Sequence, residues 1–219
     1  SAGPNGPERK EEPMTVELML FDTLTGTKRA FETLEPGRCG IYCCGPTTYD
    51  HAHIGHARAA LAPDILVRFL RQQGLEVKYV RNITDIDDKI IKRAAEAGEA
   101  PDALSERYEE SYLQDMTELG CVTPDVMPKV TEHVPQILDM IRELEAKGLA
   151  YAVDGDVYYE VDKFDGYGRL SNRDLDSMEA GARVEVDTRK RNPMDFALWK
   201  SAKPDRKSTR LNSSHANIS

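Results

Sequence analysis

The sequence contains no apolar run approaching the roughly 18 residues that a membrane-crossing helix requires. Its N-terminus lacks a basic stretch followed by an apolar segment and a small-residue cleavage site. These absences lead to the expectation of a cytoplasmic protein with no membrane partner. Cysteine is scarce: the four thiols, at Cys39, Cys43, Cys44 and Cys121, do not form a secreted-type framework, and the adjacent Cys43 and Cys44 are awkward disulfide partners. Reduced thiols or a metal ligand are expected instead. Positive charge is also short, with 29 Lys and Arg against 38 Asp and Glu, a net −9. Phosphate binding is dominated by cations, so a general nucleic-acid-binding surface is excluded and any RNA contact must be local or lie outside this segment. What is present is a chain of 219 residues, 40% hydrophobic, enough for one globular core with room for an insertion.

Residues 1–15 are rich in Pro, Gly and charge, carry no apolar period and read as a disordered leader. Apolar residues over 16–21 and the stretch 28–31 flank Thr23-Leu24-Thr25-Gly26, which suits a hairpin turning at Gly26. A short buried strand is predicted over 39–44, halted by Gly45-Pro46, and a helix over 56–73, where Leu61, Ile65, Leu66, Phe69 and Leu70 recur at helical spacing before Gly74. Pro63 falls inside that helix and predicts a kink. A second strand follows over 77–83. Strand, glycine turn, helix and strand within about 45 residues form the βαβ unit of a parallel sheet, whose ligands sit at the carboxyl ends of the strands. Helices are predicted over 86–97, 102–119 and 134–147, ending at Gly98, Gly120 and Gly148. Asp154-Gly155 signals a hairpin between 151–153 and 157–161.

Two stretches carry chemistry. In Cys44-Gly45-Pro46-Thr47-Thr48-Tyr49-Asp50-His51-Ala52-His53-Ile54-Gly55-His56, two histidines stand three apart at a strand-to-helix junction. They share one side of the helix start, where backbone N–H groups and the positive helix end favour phosphate. The pattern fits an ATP site in which His53 and His56 donate to phosphate oxygens as charge shifts, and Gly55 lets an adenine approach the backbone. His-x-Gly-His alone is shared by several kinds of nucleotidylyltransferase, and solvated surface histidines are the plainer alternative. The second stretch is Tyr79-Val80-Arg81-Asn82-Ile83-Thr84-Asp85-Ile86-Asp87-Asp88-Lys89-Ile90-Ile91-Lys92. Acids that complement a helix dipole account for Asp87 and Asp88 but not for Asn82-Ile83-Thr84.

Together these stretches resemble the class I aminoacyl-tRNA synthetases, and among them the cysteinyl family. Ala182-Arg183-Val184, Arg191-Asn192-Pro193-Met194-Asp195-Phe196 and Leu198-Trp199-Lys200 extend the resemblance, which covers about 18–203. It implies the first half of a Rossmann-type α/β catalytic domain with a parallel sheet over 16–120, an inserted α+β segment over 121–195, and the start of the second half over 196–204. It implies activation of cysteine with ATP, assisted by Mg2+, to cysteinyl-adenylate, and transfer of cysteine to its tRNA. Cys44 matches the family's zinc-binding cysteine, whereas without the resemblance it reads as a small buried hydrophobe. Zinc takes thiolate ligands, and coordination of the substrate sulfur would exclude serine better than the about 10 to 200-fold that an apolar pocket provides. Gly45 and Thr84 match positions that touch the amino acid, and Lys89-Ile90-Ile91-Lys92 matches a family motif. Cys43 departs from the pattern and, by strand alternation, is expected in the core, facing away from Cys44. His51 and His133 are expected to be solvated, Cys39 and Cys121 structural.

The family continues with a Trp-His-Ile-Glu-Cys block, a His-x-x-x-Glu zinc pair, a Lys-Met-Ser-Lys-Ser loop and a helical tRNA-binding region, none of which is in this sequence. The segment alone is therefore expected to be inactive. Residues 205–219 show no such resemblance, and Asp205 to His215 reverse-translate to one frame of a common sequencing-library adapter, so that tail is expected to be an artefact. Three alternatives remain open at this point: a cysteine-activating ligase of mycothiol synthesis, a nucleotidyltransferase without zinc, and a non-catalytic nucleotide-binding fragment.

Overall fold

The computed structural model of the chain describes residues 17–171 and 188–201. The leader, the Ala182-Arg183-Val184 motif and the adapter-like tail lie outside the described residues. The first element is the expected hairpin: β1 (Met19–Asp22) pairs antiparallel with β2 (Thr27–Ala30), and Gly26 at φ +68° supplies the left-handed turn residue.

The βαβ unit follows. Strand β3 (Arg38–Cys43) pairs parallel with β4 (Glu76–Arg81), and α1 (Ile54–Gln72) makes the crossover. Alternation places Cys39, Ile41 and Cys43 on the face that packs with Val77 and Tyr79 against Val67 and Leu70 of α1, while Tyr42 and Cys44 are exposed. Cys43 thus lies in the core as alternation predicts. Helix α1 runs through Pro63 without interruption. Pro63 lacks the N–H that Ala59 would otherwise receive, and Ala59 lies exposed, where water can bond its carbonyl.

Helices α2 (Asp88–Ala97) and α3 (Pro101–Glu118) pack on each other through Ile90, Ala94, Leu104 and Tyr108. Tyr112 and Met116 of α3 then reach Ala60 on α1, and Cys121 packs beside them as a structural thiol. Helix α2 starts two residues later than predicted because Asp87 caps it, its carboxylate accepting from Lys89 N at 2.7 Å.

Two departures from the expected boundaries concern the insertion. Residues 121–129, assigned to its beginning, stay with the parallel sheet: Val126 and Lys129 bridge Val80 and Ile83 in parallel, and Arg81 N donates to Val126 O. At the far end, β7 (Phe196–Trp199) does not join the parallel sheet. It pairs antiparallel with β6 (Asp156–Tyr159), which forms the predicted hairpin with β5 (Ala150–Val153) around Asp154 (φ +50°) and Gly155 (φ +86°). Helix α4 (Val134–Ala146) covers this sheet, Ile141 packing with Ala150 and Leu198. Among the described residues no helix is long and apolar enough to cross a membrane.

Candidate active site

The ends of β3 and β4 are held together past their last regular pair. Thr84 N donates to Pro46 O at 3.0 Å and Thr48 N to Thr84 O at 3.3 Å, while the Asn82 side-chain oxygen accepts from Gly45 N at 2.9 Å. Gly45 has a steric reason to be glycine: a Cβ there would lie 1.5 Å from the Asn82 carbonyl oxygen. The two segments cross in contact, so Gly45 and Thr84 belong to one piece of backbone architecture although 39 positions separate them in sequence. Buried Thr48 also shares a hydrogen bond with Ser105 on α3, which ties this crossing to the helical layer. Asn82 and Ser105 escaped assignment from sequence. For Asn82 the signal was that helix-dipole complementarity left Asn82-Ile83-Thr84 unaccounted for; Ser105, a polar residue on a helix, offered none.

His53 and His56 meet at the start of α1, with ring centroids 4.1 Å apart. They form a reciprocal cap: His53 Nδ1 accepts from Gly55 N at 3.0 Å and His56 Nδ1 accepts from His53 N at 3.2 Å. Two consequences follow. Some of the helix-start N–H groups expected to face phosphate are already used by this cap. In the neutral rings, moreover, the acceptor role of both Nδ1 atoms places the proton on Nε2, which leaves two imidazole N–H donors side by side. Gly55 also has a local steric reason to be glycine, since a Cβ there would stand 2.8 Å from His53 Cε1. The absent side chain makes room for the His53 ring itself.

Burial, then the neighbouring His53, then the Arg81 guanidinium lower the pKa of His56, so the neutral ring is favoured. Arg81 itself was not singled out by sequence reasoning. It is 6% exposed on the core face of β4, directly across the register from Cys43. Of the remaining histidines, His51 is exposed but tethered, its Nδ1 3.1 Å from Ser111 Oγ and its ring edge-on to Tyr108. His133 is exposed with Nδ1 2.8 Å from Lys129 O. The Lys89 to Lys92 stretch forms the first turns of α2, with Ile90 buried and Lys89 5.3 Å from the Tyr49 ring centre.

Cys44 is exposed just beyond β3. A zinc ion needs about three or four protein donors, and among the described residues no group of three or more His, Cys, Asp or Glu side chains converges to hold a metal. Cys44 is one donor, and the described residues do not complete a zinc site around it.

The profile of the tRNA synthetases class I (C) catalytic domain matches residues 30–215. The chain is similar to curated proteins named cysteine–tRNA ligase. It is 56% identical over 187 residues to that of Geotalea uraniireducens, covering 85% of this chain and 38% of the relative. To that of an Anaeromyxobacter species it is 56% identical over 188 residues, covering 85% and 39%. To that of Psychrobacter cryohalolentis it is 54% identical over 190 residues, covering 86% and 39%. The chain therefore spans about two fifths of the length of these relatives.

Proposed function

From the premise that this chain belongs to the tRNA synthetase class I catalytic-domain family of the cysteine type, we propose that it is part of a cytoplasmic cysteine–tRNA ligase. Such an enzyme joins cysteine to ATP, releases pyrophosphate and passes cysteine to its tRNA. The observation that carries the reading is the paired cap of His53 and His56, whose ring centres stand 4.1 Å apart just past the carboxyl end of β3 with both Nδ1 atoms taken by the cap and both Nε2 atoms outside it. Donors held in advance where phosphate charge shifts in the transition state lower the barrier without reorganising, and Mg2+ bound with ATP would share that charge.

Gly45 and Thr84 are proposed to border the amino acid, because the Gly45–Asn82 and Thr48–Thr84 bonds fix the backbone there. Cys44 would offer a zinc ion one thiolate, and a bound zinc would supply a soft Lewis acid for the substrate sulfur. The described residues do not complete its donor set, so the reading routes no step through the metal. Transfer to tRNA is favoured over transfer to an amino sugar because the similar curated proteins carry the tRNA ligase name.

The test is cysteine-dependent exchange of labelled pyrophosphate into ATP, measured on the protein encoded by the complete gene and on the present chain. The complete protein should catalyse it, the chain alone should not, and His56→Ala should slow the complete protein by about 100-fold or more. Exchange that proceeds as well with serine as with cysteine would overturn the reading.

A further inference from the structure

Between α1, β4, α3 and the segment 121–127 lies a cavity of about 140 Å³, lined among others by Ala60, Tyr79, Arg81, Tyr112, Met116 and Cys121. Among the described residues no carboxylate lines it. Arg81 is 6% exposed and Tyr112 5% exposed. Arg81 Nε and the Tyr112 hydroxyl are buried with no hydrogen-bond partner among the described residues. The guanidinium makes one side-chain hydrogen bond among them, from a terminal nitrogen to the Tyr79 hydroxyl at 3.4 Å, and lies 5.9 Å from the Tyr112 ring centre.

A guanidinium cannot shed its proton at ordinary pH, and a buried charge without a counter-charge is costly. The anions that the described residues could supply nearby are engaged or absent. Asp64 is taken by Arg68 at 2.9 Å and by Val122 N at 2.6 Å. Burial raises the pKa of Cys121, so it stays a neutral thiol. What remains is a positive charge and two donors, the Nε–H and the O–H, beside a partly open space of about 140 Å³.

We propose that this cavity binds one small monovalent inorganic anion, chloride being the probe, held between Arg81 and Tyr112. One positive charge calls for one negative charge, and both unpartnered groups can donate. A water molecule could accept either hydrogen bond but would leave the charge uncompensated. This inference does not depend on the ligase reading.

The test uses the whole chain at fixed ionic strength, replacing sodium gluconate stepwise by sodium chloride while following the thermal midpoint and the 35Cl NMR linewidth. Wild type should show a saturable rise in midpoint and a chloride linewidth that nitrate narrows by competition. Y112F should need about tenfold more chloride for the same effect, as expected for one lost hydrogen bond to an ion. R81M should show no saturable response. A response equal in wild type and Y112F, or one linear in chloride in all three proteins, would place the salt effect elsewhere and overturn the proposal. So would equal midpoints in chloride and gluconate.

Discussion

The β3–α1–β4 unit and the β5–β6–β7 sheet both bury a carboxylate with its partners, Asp64 in the one and Asp156 and Asp195 in the other, but among the described residues only the parallel unit also buries a cation without a carboxylate. In the antiparallel sheet Asp195 is 1% exposed and accepts from the Tyr151 hydroxyl at 2.7 Å, Val161 N at 3.0 Å and Asn192 N at 3.0 Å. Asp156 accepts from Ser201 N at 2.7 Å, from its hydroxyl, and from Arg189 at 2.8 Å. These carboxylates staple β7 and the stretch before it to the hairpin. In the parallel unit Arg81 is buried without a carboxylate among the described residues, and the two histidines keep their Nε2 donors turned away from the cap. A region whose polar groups satisfy one another is built to hold shape. A region that keeps donors outside its own bonds leaves them available to the ligands proposed above.

The strongest challenge to this contrast is Asp195→Ala. It strands three donors in the interior and should cost about 4 kcal/mol in urea unfolding, with β7 becoming protease-sensitive. A loss under about 1 kcal/mol would mean that the network is not what holds the sheet. Next comes Gly45→Ala, which must displace the Asn82 carbonyl and should cost about 3 kcal/mol, read in the same titration. Arg81→Met inverts the sign. In chloride-free gluconate it should leave stability unchanged or raise it by about 1 kcal/mol, because an uncompensated buried charge is replaced by an apolar side chain of similar length.

Acid titration compares the regions more finely. Burial alone would raise the Asp156 pKa, but the bonds from Ser201 and the Arg189 guanidinium outweigh it and hold the carboxyl below the usual carboxylate value. Asp64 is held down in the same way by Arg68 and Val122 N. A depressed folded-state pKa means that the stabilisation is fully present above the unfolded value, near pH 4, and is lost as pH falls through the lower folded value. Asp156→Asn should therefore flatten the dependence of unfolding free energy on pH below about 4, and an unchanged acid limb would show that the carboxylate's partners contribute little. The smallest effect expected is on His56. Removing its neighbour with His53→Ala should raise the His56 pKa toward the ordinary imidazole value, followed by NMR of its ring protons. An unchanged titration would leave burial and the Arg81 charge as the causes.

Local patterns were legible without coordinates. Gly26 and Asp154-Gly155 marked their hairpins because few residues tolerate a left-handed backbone, and both turns use it. The helical spacing from Leu61 to Leu70 found α1, and Gly98, Gly120 and Gly148, each at positive φ, marked where helices end. The pairing of His53 with His56 could be anticipated because residues three apart share a helix face. At Gly55 the spacing gave no sign that the His53 ring, two positions earlier, fills the space a side chain would need.

By itself, then, the sequence determined the turns, the helices, the alternation that separates Cys43 from Cys44, and the motif that marks the family, because each depends on residues close together in the chain. Only the tertiary structure decided that residues 125–129 extend the parallel sheet, that β7 joins the hairpin instead, that Asn82 meets Gly45, and that Arg81 lies buried beside Tyr112. Those partners lie 31 to 46 positions apart, and which of them meet depends on how the layers pack, a choice that periodicity does not encode.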